Sequence, residues 1–369
     1  MNENETRAEK APREMDSPAA GQGCPDEPRS LQNFRRIFIR AAGGGREARL
    51  FGMSTQAKAD TALRKYAIDA SDECFYFELP LAGEPRMDLL LQYNCGKIRL
   101  PASRRGGMNS VSSDFFSFFE ACAKDPDIAR YIVGFSFDLS EGRDLPGIYL
   151  LPPRNLPNIS YVPRMLERLG AYGRIQKVMD AFASAPAGWQ PYYAGYMDAR
   201  PGTPTRLGFF LDHGMCRRYR EDRALLKRDL SQYCRRPVPG DMLDQIHLLT
   251  QKGYVWDFQF DMLPDGDLAR SLGVSVRDEA DENTWASTKA FLECNAMENL
   301  MLTLESWKLA DGRWRLLRDA CSAVRRNILE GGRIRTVADL VSINTYKVRF
   351  KNEQSVLAKA YLFARSCDL

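Results

Sequence analysis

The sequence predicts an α+β fold in which five β-hairpins alternate with helices and close into a ten-stranded antiparallel barrel, helices outside. Three observations carry this. Aromatic-rich alternating segments arrive in pairs, each pair joined by a short turn rich in Gly, Pro, Asp or Asn. The pairs begin near positions 74, 131, 191, 255 and 343, and between them the apolar period becomes helical. Finally, the first strands superpose: Phe75-Tyr76-Phe77-Glu78, Phe135-Ser136-Phe137-Asp138, Gly195-Tyr196-Met197-Asp198, Phe258-Gln259-Phe260-Asp261 and Val348-Arg349-Phe350-Lys351. Five similar units argue for one repeat architecture rather than two domains.

Taken in order, residues 1–34 are polar, carry both charge signs and lack an apolar h-region, which predicts a disordered tail rather than a signal peptide. Residues 35–369 then form one barrel domain. The first hairpin is expected at 74–78 and 87–93 and the second at 131–138 and 147–151, around Glu141-Gly142. The third is expected at 191–198 and 205–211, the fourth at 255–261 and 269–276. The fifth is expected at 345–350 and 356–363. Ser113-Asp114 can cap a helix from Phe115 to Ala123, and Pro163 suits the first turn of one running to Phe182. Helix pairs are expected at 220–233 and 241–251, and at 288–307 and 314–329, with Gly253 and Gly331-Gly332 as stops.

Alternate strand residues face opposite sides. The Phe-rich set needs the amphipathic helices as its partner, so the other set faces away from them. It holds Tyr76, Glu78, Ser136, Asp138, Tyr196, Asp198, Asp257, Gln259, Asp261, Lys347 and Arg349 from the first strands. The second strands add Asp88, Leu90, Gln92, Tyr149, Arg206, Gly208, Phe210, Ser271, Ser275, Lys359, Tyr361 and Phe363. Closure removes both sheet edges and turns this polar, aromatic face into a ligand chamber.

The totals exclude several functions. The 52 Lys+Arg against 48 Asp+Glu give a net charge of +4, and the basic runs Met215–Arg220 and Arg325-Arg326 read as solvated helix faces, so no nucleic-acid partner is expected. Nothing approaches the roughly 18 apolar residues of a membrane span, so no membrane is expected either. Nine scattered Cys without a CxxC pair read as reduced thiols of a cytoplasmic protein. Two His, His213 and His247, make a His-based zinc site untenable, and no metal ligand set is assigned. Ala42-Gly43-Gly44-Gly45-Arg46 lacks the Gly-Lys-Ser/Thr of a phosphate loop and reads as a flexible loop.

On the inferred interior face, cations and hydroxyls gather in the fifth hairpin as Lys347 and Arg349, Lys359 and Tyr361, which makes an anion cradle. Aromatic residues of the other hairpins can shield a carbocation. The competing interpretation is a structural network in which these residues pair with nearby acids.

Five ββ units separated by helices, with Lys359-Ala360-Tyr361-Leu362-Phe363 and Gly147-Ile148-Tyr149-Leu150-Leu151-Pro152 on the strands, resemble the prenyltransferase barrel (ABBA fold) of aromatic prenyltransferases, above all the dimethylallyltryptophan-synthase-like group. The resemblance spans about 40 to 369. It implies transfer of a dimethylallyl or geranyl group from an allylic diphosphate to an indole-like or peptide acceptor in secondary metabolism. It further implies Lys347, Arg349, Lys359, Tyr361, Arg206, Tyr149 and Tyr196 on the diphosphate, and Glu78 as the carboxylate that takes the acceptor's proton. Tyr76, Gln92, Gln259, Asp261 and Phe363 would line the acceptor space. No cofactor is required, with Mg2+ as an option. Hairpin two carries Gly147 where the group has Lys, and hairpin four carries Asp257 and Asp261, which would repel a diphosphate unless Mg2+ bridged them, or would bind a cationic acceptor. A non-catalytic peptide- or ligand-binding barrel and a peptide-tailoring enzyme of other chemistry therefore stand as alternatives.

Overall fold

A computed structural model describes residues 29–66, 69–70, 73–99, 118, 120–126, 128–139, 146–152, 159–197, 200, 202–278, 297–330, 332–352 and 354–368. Helix α1 (Arg29–Ala42) comes first and is followed by α2 (Thr55–Tyr66). Thus α1 occupies 29–34, which the sequence assigns to the tail, and 1–28 lie outside the described residues. It forms there because Leu31, Phe34, Ile37, Phe38 and Ala41 make one buried stripe at helical spacing. That stripe covers the outer face of the first hairpin, with the Phe34 ring 5.9 Å from Phe75 and Phe38 6.0 Å from Phe77. The glycine run after α1 is a capped turn, not a free loop: Arg46 Nε donates to the Ala41 carbonyl at 2.8 Å.

The strands follow in chain order. A short pairing joins β1 (Asp69–Ala70) to β4 (Ile98–Arg99) and lies apart from the main sheet. The first hairpin is β2 (Glu73–Pro80) and β3 (Asp88–Asn94), the second β5 (Ile132–Phe137) and β6 (Gly147–Leu151). The third is β7 (Trp189–Tyr196) and β8 (Thr205–Leu211), the fourth β9 (Tyr254–Met262) and β10 (Leu268–Arg277). Then come β11 (Ser322–Glu330), β12 (Arg333–Lys351) and β13 (Gln354–Asp368). Ten of these run in the order β10-β9-β8-β7-β6-β5-β3-β2-β13-β12, and the pairing of β10 with β12 closes the ring. This is the closed five-hairpin barrel with outer helices that the prenyltransferase-barrel resemblance implies. The hairpin turns gather at one end and the helical connections start and finish at the other.

Helices α3 (Tyr161–Arg168) and α4 (Ile175–Ala183) replace the single helix expected from Pro163 to Phe182. The break falls at Gly170, whose φ of +70° ends α3. After the third hairpin come α5 (His213–Glu221), α6 (Arg223–Cys234) and α7 (Gly240–Lys252), one helix more than expected. Asp212 and Asp222 split the segment by accepting from the Met215 and Leu225 amides at 2.6 and 2.9 Å, each starting a new helix. Beneath them Trp189, Phe209, Tyr233 and Phe260 form a ring cluster with centroids 4.7 to 6.0 Å apart. Trp189 Nε1 donates to the Tyr219 hydroxyl at 2.5 Å. No helix among the described residues is long and apolar enough to cross a membrane.

The largest departure lies after α8 (Glu298–Ser306). The expected helix 314–329 is only α9 (Arg315–Ala320), and Ser322–Glu330 is the strand β11. Gly332, with φ +77°, turns a hairpin rather than stopping a helix. Strand β12 is 19 residues long: residues 346–351 of it pair with β10, while 333–341 pair with β11. The fifth hairpin thus outgrows the barrel as a three-stranded ribbon. Sequence propensity missed it because Ala, Arg and Leu favour a helix in isolation, whereas pairing to β12 decides the outcome. Arg325 and Arg326 accordingly sit on a strand, not on a helix face. The cap Ser113-Asp114, the turn Glu141-Gly142, the interior candidate Asp198 and the start of the helix expected from 288 lie outside the described residues.

Candidate functional site

The alternation of the strands produces two interior zones. Toward the hairpin turns lies a floor of charged pairs. Opposed residues Glu78 and Asp88 both receive Lys359 Nζ, at 3.3 and 2.8 Å. Across the barrel Asp261 accepts from Arg206 at 2.9 Å and from Arg349 at 2.6 Å, and Asp138 takes Arg200 at 2.8 and 2.9 Å. Burial alone would raise the Asp261 carboxyl, but Arg206 and Arg349 outweigh it and hold it well below the usual carboxylate range. Burial likewise opposes the charge on Lys359, yet Glu78 and Asp88 overcome it and raise that ammonium.

Above the floor, toward the helical end, is a chamber of about 440 Å³, a size ordinary for a small-molecule site. Tyr76, Tyr149, Tyr193, Phe210, Trp256 and Phe363 supply much of its wall. Among the described residues its charged lining comprises one carboxylate, Glu78, and four cations, Arg206, Arg277, Lys347 and Arg365. A chain of hydrogen bonds joins the two zones: Lys347 Nζ donates to the Tyr361 hydroxyl at 3.2 Å, and that hydroxyl donates to Glu78 Oε2 at 3.0 Å. Burial lowers the Lys347 ammonium and raises Asp257, whose carboxylate accepts from Gln259 and Ser275. Burial also raises Tyr149, Tyr193 and Tyr361, so each keeps its proton as a donor.

Glycines seat the rings. Tyr149 lies opposite Gly134 and Gly195 on its two neighbouring strands, and Tyr193 lies against Gly208. A Cβ at Gly208 would fall 2.1 Å from the Tyr193 ring, and one at Gly134 2.4 Å from Tyr149. Missing side chains on one strand therefore let a ring on the next lie across it.

Among the residues singled out from the sequence, Glu78, Lys347, Arg206, Tyr149, Tyr361, Tyr76, Gln92, Gln259 and Phe363 line the chamber together. Arg349, Lys359 and Asp261 lie in the floor below. Tyr196 does not join them: it packs on the outer core, with the Arg174 guanidinium 5.2 Å from its ring centroid. The third hairpin is out of step with its neighbours because the register shifts between Pro191 and Tyr193, and a one-residue slip reverses every side chain beyond it. Tyr193 and Met197 hold the interior positions instead. Pro191 inside a strand was the available signal for this bulge. Sequence reading also missed Trp256, Arg277, Thr345 and Arg365 at the mouth, and Arg200 in the floor. Among the described residues no group of three or more His, Cys, Asp or Glu side chains could hold a metal ion. Asp261 already has its charge answered by two guanidiniums, so no bridging ion is needed to offset it.

Solved structures that resemble this chain include the following three. The 5-dimethylallyltryptophan synthase from Streptomyces coelicolor is 10% identical, with 90% of this chain and 95% of that chain covered and a TM-score of 0.46. A 6-dimethylallyl tryptophan synthase is 11% identical over 90% and 95% of the two chains, with a TM-score of 0.49. The 6-dimethylallyltryptophan synthase from Micromonospora olivasterospora, solved in complex with DMASPP and Trp, is 12% identical over 90% and 94%, with a TM-score of 0.44. No protein-family model and no curated protein matches the sequence.

Proposed function

We propose that the chain transfers a prenyl group from an allylic diphosphate to an electron-rich aromatic acceptor of the indole type. The observation that carries this reading is the charged lining of the chamber: among the described residues, four cations against one carboxylate, amid aromatic rings. A diphosphate needs the cations, an allylic cation is stabilised by ring faces, and the acceptor needs one base. In this reading Lys347 and Arg206 hold the diphosphate at the boundary with the floor, and Tyr149 and Tyr361 donate to its oxygens, Tyr361 by turning its one proton away from Glu78. Arg349 and Lys359 act from below by fixing Asp261, Glu78 and Asp88. Tyr76, Gln92, Gln259 and Phe363 enclose the acceptor.

The allylic C–O bond breaks with its electron pair leaving on the diphosphate. A ring carbon of the acceptor supplies the pair for the new C–C bond, and its proton passes to Glu78. Enclosure matters because water would capture the cation. The pairing of every floor acid just described with a cation supports a second reading, a barrel that binds an anionic aromatic ligand without turnover.

One assay separates the two: incubation with dimethylallyl or geranyl diphosphate and a panel of indoles and peptides, with products followed by mass spectrometry. The expected result is prenylated product, falling about 10²- to 10⁴-fold in Glu78→Gln while diphosphate affinity holds. Diphosphate binding without product leaves the ligand-binding reading. Absence of diphosphate binding at millimolar concentration, in a folded protein, removes the prenyl-transfer reading.

A further inference from the structure

The side chain of Gln259 has one end fixed and one end open. Its Nε2 donates to Asp257 Oδ2, and the Ser275 hydroxyl donates to the same oxygen at 3.0 Å. A carboxylate oxygen that receives two donors acts only as an acceptor, so it holds the nitrogen end of the amide and turns the carbonyl end away. Gln259 and Ser275 line the chamber, whereas Asp257 is wholly buried behind them. Among the described residues neither Gln259 Oε1 nor the second oxygen of Asp257 has a hydrogen-bond partner. A buried carboxylate left half satisfied costs stability that an apolar residue at this place would not. What that cost secures is a single orientation of the Gln259 amide. The backbone leaves the amide uncovered, because Gln259 lies opposite Gly208 on β8 and Gly273 on β10. A Cβ at Gly273 would lie 3.6 Å from Gln259 Oε1 and 3.6 Å from Lys347 Cε. The open carbonyl therefore stands on the Lys347 side of the chamber, where the proposed reaction brings the acceptor ring to the allylic carbon.

We propose, resting on the prenyl-acceptor reading above, that Gln259 Oε1 accepts the ring N–H of an indole-type acceptor, and that Asp257 is the positioning residue that keeps this oxygen turned into the chamber. Glu78 then remains available for the proton of the reacting ring carbon. The wall selects a fused ring that bears an N–H over one of the same shape that carries oxygen in its place. The oxygen of such a ring would face the Gln259 carbonyl with no proton between them, and both acceptors would lose the water they hold when apart.

The experiment is calorimetric and needs no turnover: binding of indole and of benzofuran, its isostere without the N–H, to the full chain. Indole should bind about tenfold more tightly, the size of one hydrogen bond against one acceptor left bare. The indole-to-benzofuran ratio is the readout, because a loosened wall weakens both ligands alike. In Gln259→Met, which keeps the length of the side chain but removes the carbonyl, the ratio should fall to about one. That change also takes a donor from the buried carboxylate, so the double variant Asp257→Asn/Gln259→Met, neutral at both positions, should give the same ratio in a fold that circular dichroism reports as intact. In Asp257→Asn alone the amide can turn either way, and the ratio should fall to an intermediate value. Equal binding of the two ligands by wild type, absence of indole binding, or an undiminished ratio in Asp257→Asn or in the double variant overturns the proposal. Prenylated product formed alongside any of these results leaves prenyl transfer standing. A Gln259-dependent preference for indole with no product from any allylic diphosphate supports the proposal and removes prenyl transfer instead.

Discussion

Toward the hairpin turns the barrel interior is filled by opposite charges in contact, whereas toward the helical end it is walled by rings that leave space between them. In the floor Asp261 is 7% exposed and answered by two guanidiniums, one of them Arg206 at 8%. At the mouth Trp256 donates to Thr345 Oγ1 at 3.0 Å and faces an open cavity. The difference separates what holds the barrel from what can bind. Buried pairs are costly to break, so the floor is fixed; rings beside a void can shift with an occupant. Chemistry is then expected at the seam, where Glu78, Tyr361, Lys347 and Arg206 belong to both zones.

The largest effect should come from breaking the floor. Asp261→Ala leaves Arg206 and Arg349 without their shared carboxylate, and removing one member of a buried ion pair costs about 3–5 kcal/mol. Urea denaturation should show the loss as a lower midpoint at unchanged slope. The sign of the pH dependence follows from the lowered Asp261 carboxyl. Its contribution is complete above the ordinary aspartate range and disappears as pH falls through that range toward the folded value. Wild type and variant should therefore converge in acid. A cost below about 1 kcal/mol would place these buried pairs with exposed ones and erase the contrast between the two ends.

The two ends were not equally legible in the sequence. The floor acids Glu78, Asp138 and Asp261 were placed inward by the Phe-x-Phe pattern of their own strands, because the apolar positions fix the register wherever one face is buried. Their partners were harder: Arg200 lies beyond the end of β7, where no alternation extends, and its pairing with Asp138 is a tertiary fact. The mouth was less legible still. The bulge at Pro191 moved Tyr193 inward and Tyr196 outward, so a repeat alignment chose the wrong tyrosine. A second bulge, between Ile343 and Thr345, brings Asn344 and Thr345 to the chamber side by side. The first strand of the ribbon, β11, falls almost wholly within the helix expected over 314–329, since its strand character comes from pairing with β12 and not from its own residues.

An intermediate effect should follow from disturbing the mouth through its backbone. At Gly208 a methyl group would meet Tyr193 at 2.1 Å, and overpacking of this kind costs about 1–3 kcal/mol. Gly208→Ala should lower the urea midpoint less than Asp261→Ala does and change the near-ultraviolet dichroism of the tyrosines. If Tyr193 swings aside freely into the chamber, the cost will be near zero and the rings will prove looser than drawn.

The smallest effect belongs to the seam and concerns protons. Burial lowers the Lys347 ammonium well below the ordinary lysine range, so this lysine gives up its proton more readily than an exposed one. Two consequences run in opposite directions. An unfolded chain holds the lysine proton more tightly than the folded one, so Lys347 weakens the fold increasingly as pH drops from the ordinary lysine range toward its lowered folded value. Asp257, raised by burial, exerts its own opposite dependence below that window and leaves the alkaline range to Lys347. If Lys347 holds the diphosphate as proposed, inorganic pyrophosphate binds the protonated form, and its affinity should fall as pH rises and this burial-weakened ammonium gives up its proton. Lys347→Arg, whose guanidinium keeps its charge, provides the reference that removes the titration of pyrophosphate itself. The wild-type affinity divided by that of the variant should decline with pH. A flat ratio would mean that Lys347 stays charged on its Tyr361 and Glu78 neighbours, and would assign it to the floor of fixed charges instead of to the seam.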